Sequence, residues 1–133
     1  MNQVRLVADL AKSKEYYKHA LGCKVDGWGH AERKDPDMGF ILQQAEHPED
    51  VRPNNKAKQI VYPNNWEGPP TGWDSYAYAK WETIDAHIVQ FREAGAIIHY
   101  EIKHEDQGDM VWKEFAIRDP DGYVIVIGAG KMK

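Results

Sequence analysis

Glu114 stands two residues after Trp112 in a stretch, Met110 to Ile117, that alternates as a half-buried strand does. Residues two apart on a strand share a face, so Trp112 and Glu114 project together while Phe115 and Ile117 turn to the core. The strand that follows sends Val124 and Val126 to the Glu114 side and Ile125 and Ile127 inward. Trp73 to Trp81 alternates in the same way, with Ala77, Ala79 and Trp81 on one face and Tyr76, Tyr78 and Lys80 on the other. A carboxylate set among Trp112, Tyr76 and Val126 loses hydration, a condition for general acid–base work, which makes Glu114 the candidate catalytic residue. The rings offer stacking surface with polar tips, the usual make-up of a small-molecule site. A simpler alternative makes Glu114 an ion-pair partner of Arg5 or Lys80 and the rings mere filling.

Other chemistries find less support. His19 and His87 fall on helices among polar neighbours and are expected in solvent. His99 and His104, five apart, should face opposite sides of a regular strand. His30 shares a strand face with Glu32, and a His30–Glu114 pair could bind a metal or move a proton. Cys23 follows a helix end without the electropositive setting of a nucleophile, and neither a catalytic triad nor a glycine-rich phosphate loop is present.

The 133 residues suit one domain, or two small halves around a shared core. A net charge of −4 argues against a nucleic-acid partner. No apolar run is long enough to span a bilayer, and the N-terminal residues do not read as a signal peptide. One cysteine excludes an internal disulfide and fits a reducing compartment, so a cytoplasmic location is expected. Five Trp and seven Tyr against three Phe is the compositional oddity, in keeping with an aromatic-lined cavity.

The elements that position these residues repeat. Val4 to Ala8 reads as a strand, Asp9 as the N-cap of a helix, and Gly22 as its stop. Leu10, Tyr17 and Leu21 form that helix's inner face. Strands follow from Cys23 to Arg33, broken at Gly27-Trp28-Gly29, and from Met38 to Gln44, with an Asp35-Pro36-Asp37 turn between them. After Trp73 to Trp81, Thr83 should cap a second helix with Ile84, Ile88 and Phe91 inward and Gly95 at its end. Ala96 to His104 and Met110 to Ile117 are strands on either side of a turn at Asp106–Asp109, and Asp119-Pro120-Asp121-Gly122 turns into Tyr123 to Ile127. Asp9 to Gly22 and Glu82 to Gly95 span the same distance, and each module ends on an Asp-Pro-Asp turn and an apolar strand. The chain thus reads β-α-β-β-β twice. Module one covers about 1–45 and module two 73–133. The connection at 46–72 holds Pro48, Pro53, Pro63, Pro69 and Pro70, with a short strand expected at Lys58 to Tyr62.

Asp9-Leu10-Ala11-Lys12-Ser13 with Tyr16-Tyr17 and Leu21-Gly22 resembles the first helix of the vicinal oxygen chelate superfamily, the glyoxalases, bleomycin resistance proteins and extradiol dioxygenases. Glu82-Thr83-Ile84-Asp85 with Glu93-Ala94-Gly95 is similar to that family's second helix, and Phe115 to Gly122 to its closing signature. The resemblance implies an α+β fold of two βαβββ modules whose mixed sheets form a cup around a ligand, often in a homodimer. It places the family's metal-ligand positions on Asn2, Tyr76, Val126 and Gln43, a set that does not make a credible divalent site. Parity adds Val4 and Leu6 to the cup, and Trp28 and His30 join it as candidate ligand contacts. Trp66, with Tyr62, is expected as a lid or a dimer contact. The expected function is therefore metal-free binding of a small, aromatic or planar molecule, with no cofactor. The alternative is a lyase, isomerase or dioxygenase that uses a divalent metal.

Overall fold

The computed structural model of the chain describes residues 2–53 and 72–133. Trp66, Tyr62 and the strand expected at Lys58 to Tyr62 lie outside the described residues. Module one comprises β1 (Gln3–Val7), α1 (Leu10–His19), β2 (Lys24–Val25), β3 (His30–Lys34) and β4 (Asp37–Gln44). Module two comprises β5 (Ser75–Tyr78), α2 (Ile84–Glu93), β6 (Ile97–Gln107), β7 (Met110–Arg118) and β8 (Val124–Met132). Each forms a four-stranded mixed sheet, ordered β1-β4-β3-β2 and β5-β8-β7-β6. In each, the strand before the helix runs parallel to the last strand, and the remaining pairs are antiparallel. The βαβββ repeat is therefore present in both halves. No described helix is long and apolar enough to cross a membrane.

Local chemistry explains most of the elements. Asp9 is extended and its carboxylate accepts the Lys12 N–H at 3.2 Å, which caps α1. Gly22, at φ 66°, ends the same segment in the left-handed conformation that other residues adopt at a cost. Tyr17 and Leu21 are buried, as the helical spacing predicts, and Leu10 packs at the rim of the core. One core serves both modules: Val7, Tyr17, Phe40 and Leu42 pack with Ala77, Ile84, Phe91, Phe115 and Ile125 in a single cluster. Burial of this shared apolar surface, rather than either sheet alone, is the main stabilising term.

Four expectations fail, each for a local reason. Thr83 begins α2 but makes no capping bond with its side chain. Its hydroxyl donates instead to Asp35 in module one, at 2.7 Å. His87 is buried, because it lies three residues beyond Ile84 on the inner stripe of α2 and stacks near Phe91. β5 stops at Tyr78, since the Lys80 N–H turns to the Asp35 carboxylate rather than to a neighbouring strand. The regular alternation expected for His99 and His104 is broken, because β6 carries two register shifts against β7, between Ile98 and Tyr100 and between Tyr100 and Lys103.

The two Asp-Pro-Asp turns have a role beyond reversing the chain. Asp35 holds the Thr83 hydroxyl and the Lys80 N–H at the start of α2. In return, Asp121 accepts the Ala8 N–H at the start of α1, at 3.3 Å, and Asp119 accepts the Tyr17 hydroxyl at 2.8 Å. Each turn thus clasps the strand–helix junction of the other module. The same hydroxyl of Tyr17 accepts from Arg5 at 3.2 Å, and Arg5 also reaches Ser75 at 2.8 Å. Arg5 and Asp119 are both buried, so these bonds satisfy groups that would otherwise be costly in the core. Arg5 is accordingly not the partner of Glu114.

Candidate functional site

The cup of module two is built by three strands and the segment before them. Strand parity puts Tyr76 on the face opposite the buried Ala77, directly across the β5–β8 ladder from Val126. The β7 alternation sends Trp112 and Glu114 to the same face, and the first shift in β6 brings Tyr100 opposite Ala116 on that side. Trp73 packs in from the segment before β5, 5.6 Å between ring centres from Tyr76. Together with Tyr78, Lys103, Glu105 and Gln107 they enclose a cavity of about 440 Å³.

The polar centre is Glu114, which is 7% exposed. Tyr100 donates its hydroxyl to Oε2 at 2.5 Å, and Tyr76 donates to Oε1 at 3.4 Å. The Trp112 indole N–H donates to the Tyr76 hydroxyl at 2.9 Å, which fixes that ring from behind. Burial first, and then the charge of Glu114, push both the Tyr76 and Tyr100 phenols well above the ordinary tyrosine value. Both therefore stay protonated as donors. Tyr78 stands edge-on to Trp112 with ring centres 6.3 Å apart, forming an outer wall that is 65% exposed. Two glycines make room for these rings. A Cβ on Gly128 would meet the Tyr76 hydroxyl at 2.1 Å, and one on Gly130 would meet the Trp112 ring at 2.3 Å.

The candidate residues from sequence do not all converge. Tyr76, Tyr78, Trp112 and Glu114 share this cavity. Val126 is fully buried and forms the floor under the rings with Ala116 and Val124, so a ligand does not reach it directly. Trp28 is 84% exposed on the β2–β3 connection. His30 is held by Asp26 at 2.8 Å, while the carboxylate oxygens of Glu114 take tyrosine hydroxyls, so the proposed His30–Glu114 pair does not form. Gln43 is exposed and pairs with Leu6, four positions from Asn2 along the strand. Asn2 lines a separate hollow of about 550 Å³ with Lys24, Glu32, Arg33, Lys34 and Asp37, a charged surface without rings. Tyr100, Trp73, Lys103 and the two glycines were not legible as site residues. Tyr100 lies beyond a bulge that resets parity, and Gly128-Ala129-Gly130 reads as a strand end rather than a wall.

The donor chemistry does not fit a divalent ion. At the positions the fold would use, the side chains are an amide at Asn2, a phenol at Tyr76, an alkyl group at Val126 and an amide at Gln43. Among the described residues no three His, Cys, Asp or Glu side chains cluster as metal ligands would. Cys23 is buried and its thiol is pushed up to about 12, which keeps it from acting as a thiolate.

Residues 2–127 match the family model of the Glyoxalase/Bleomycin resistance protein/Dioxygenase superfamily. No curated protein matches the chain in sequence. Among solved structures, it is similar to a glyoxalase/bleomycin resistance protein/dioxygenase from Alicyclobacillus acidocaldarius, at 11% identity and a TM-score of 0.64 over 97% of this chain and 89% of that one. TioX from Micromonospora sp. ML1 is similar at 13% identity and a TM-score of 0.60, covering 100% and 97% of the two chains. VPC_CASS1 from the mobile metagenome of V. Pseudocholerae shares 18% identity with a TM-score of 0.59, over 96% of this chain and 91% of that one. At these identities the likeness concerns the fold.

Proposed function

The chain belongs to the Glyoxalase/Bleomycin resistance protein/Dioxygenase superfamily, and from that premise we propose that it binds a small aromatic or planar molecule in the cup of module two without a metal. The observation that carries this reading is the cavity itself, about 440 Å³ walled by Trp73, Tyr76, Tyr78, Tyr100 and Trp112 around one carboxylate. Stacked and edge-on rings stabilise a planar guest by roughly 0.5–1.5 kcal/mol per pair beyond the burial of area. Glu114 serves as a fixed acceptor rather than a mobile base, because each of its oxygens already accepts a hydrogen bond from a tyrosine hydroxyl. The amide, phenol and alkyl groups at the matched ligand positions favour binding over metal chemistry.

Tryptophan fluorescence titration with planar aromatic compounds of graded size tests the proposal. Saturable quenching is expected, lost in Trp112→Ala and unchanged after dialysis against EDTA. Absence of saturable quenching by every compound overturns the binding reading, and loss of binding after EDTA overturns its metal-free part.

A further inference from the structure

We propose that the ligand of this cup carries a positive charge, as an alkylated ammonium or a cationic ring, seated between the ring faces and Glu114. This inference rests on the binding reading above and narrows it to one chemical class.

Glu114 is buried, yet no basic side chain neutralises it among the described residues, where the ion pairs engage other carboxylates. Its partners are two neutral phenols. A carboxylate withdrawn from water without a counter-charge is costly, and a cationic guest would supply that charge. The basic residue best placed to do so is Lys103, the ladder partner of Glu114. Its ammonium instead lies 4.0 Å from the centre of the Tyr100 ring. That contact shows that the wall of the cup accepts a cation on a ring face. The faces of Trp and Tyr rings are negative, and several of them turned on one site form the arrangement that recognises ammonium groups. The remaining charged residue of the lining, Glu105, is also acidic and accepts from Gln107 at 2.9 Å. An anionic guest would therefore meet two carboxylates against one ammonium.

The test compares phenyltrimethylammonium with its neutral isostere tert-butylbenzene, and with benzoate, by tryptophan fluorescence on the full chain. The cation is expected to bind about tenfold tighter than the isostere, with benzoate weakest. In Glu114→Gln the ratio of the two affinities should shrink towards unity. Equal or tighter binding of tert-butylbenzene to the wild-type protein overturns the charge inference and leaves the stacking reading intact. So does a preference for the cation that survives Glu114→Gln. Failure of these compounds and of all neutral planar aromatics to bind overturns the binding reading itself. Should Glu114→Gln fail to fold, equal or tighter binding of tert-butylbenzene by the wild-type protein still overturns the inference.

Discussion

The hydroxyl of Tyr76 occupies the space that a side chain on Gly128 would need: a Cβ built there would lie 2.1 Å from it and 2.8 Å from the Trp112 ring. The ring cannot simply swing away, because the Trp112 indole N–H holds the hydroxyl and Trp73 packs against its face. Gly128→Ala should therefore displace Tyr76 and Trp112 together. The expected cost is about 1–3 kcal/mol of stability by overpacking, with a shifted tryptophan emission and at least tenfold weaker binding of aromatic guests. An unchanged urea midpoint and unchanged emission would show that the rings are not wedged.

Tyr17→Phe keeps the ring edge-on to Phe40, with centres 5.3 Å apart, and removes only the hydroxyl that links Arg5 to Asp119. Both of those charged residues are buried, so each loses a partner it cannot replace with water. A loss of about 1–3 kcal/mol in chemical denaturation is expected. A variant as stable as the wild type would mean that the network is not needed to join the modules.

The protonation of the tyrosines gives a pH dependence with a definite sign. Folding raises the phenols of Tyr17, Tyr76 and Tyr100, through burial above all. In the unfolded chain they titrate near about 10. Between the two values the folded protein holds protons that the unfolded chain has lost, so these groups leave stability flat below about pH 10 and lower it above. Absorbance at 295 nm should show their phenolate signal rising together with unfolding. Ionisation of all seven tyrosines near pH 10 in a protein that stays folded would contradict this.

Thr83 and Asp35 provide a test of the clasp between modules. Because the Thr83 hydroxyl bonds to Asp35 at 2.7 Å rather than capping its own helix, a double-mutant cycle of Thr83→Val and Asp35→Ala should give a coupling of about 1 kcal/mol. Partial burial acts to raise the Asp35 carboxyl, but the bonds from Thr83, the Lys80 N–H and His87 outweigh it and hold the group below the ordinary range. Additive effects in the cycle would show that Thr83 acts within α2 alone.

How much of this was legible in the sequence follows from where the period-two rule holds. It placed Tyr76, Trp112 and Glu114 on one face because β5 and β7 are regular there. The repeat of cap, helix, glycine and turn located both modules, since each feature is local chemistry that needs no tertiary context. Tyr100 is hidden because a bulge inverts the parity of β6, and His87 because its polar neighbours point to solvent although its spacing from Ile84 is that of the core stripe. Trp28 misled in the other sense. A large ring suggests a binding surface, but the turn that carries it leaves it 84% exposed and outside the cavity lining. The bonds of Asp35, Asp119 and Asp121 across modules were invisible, because a turn motif specifies its own backbone and says nothing of what its spare carboxylate oxygens will meet.

The reciprocal grip of the two Asp-Pro-Asp turns changes what the covalent connection between the halves has to do. Each half is completed by a carboxylate that the other half carries, and both contribute to one core. Part of what joins the halves is thus carried on the surfaces of the halves themselves, and a covalent link between them raises their local concentration. Two separate polypeptides, 1–53 and 72–133, would each still present the carboxylate and the helix start that the other takes up.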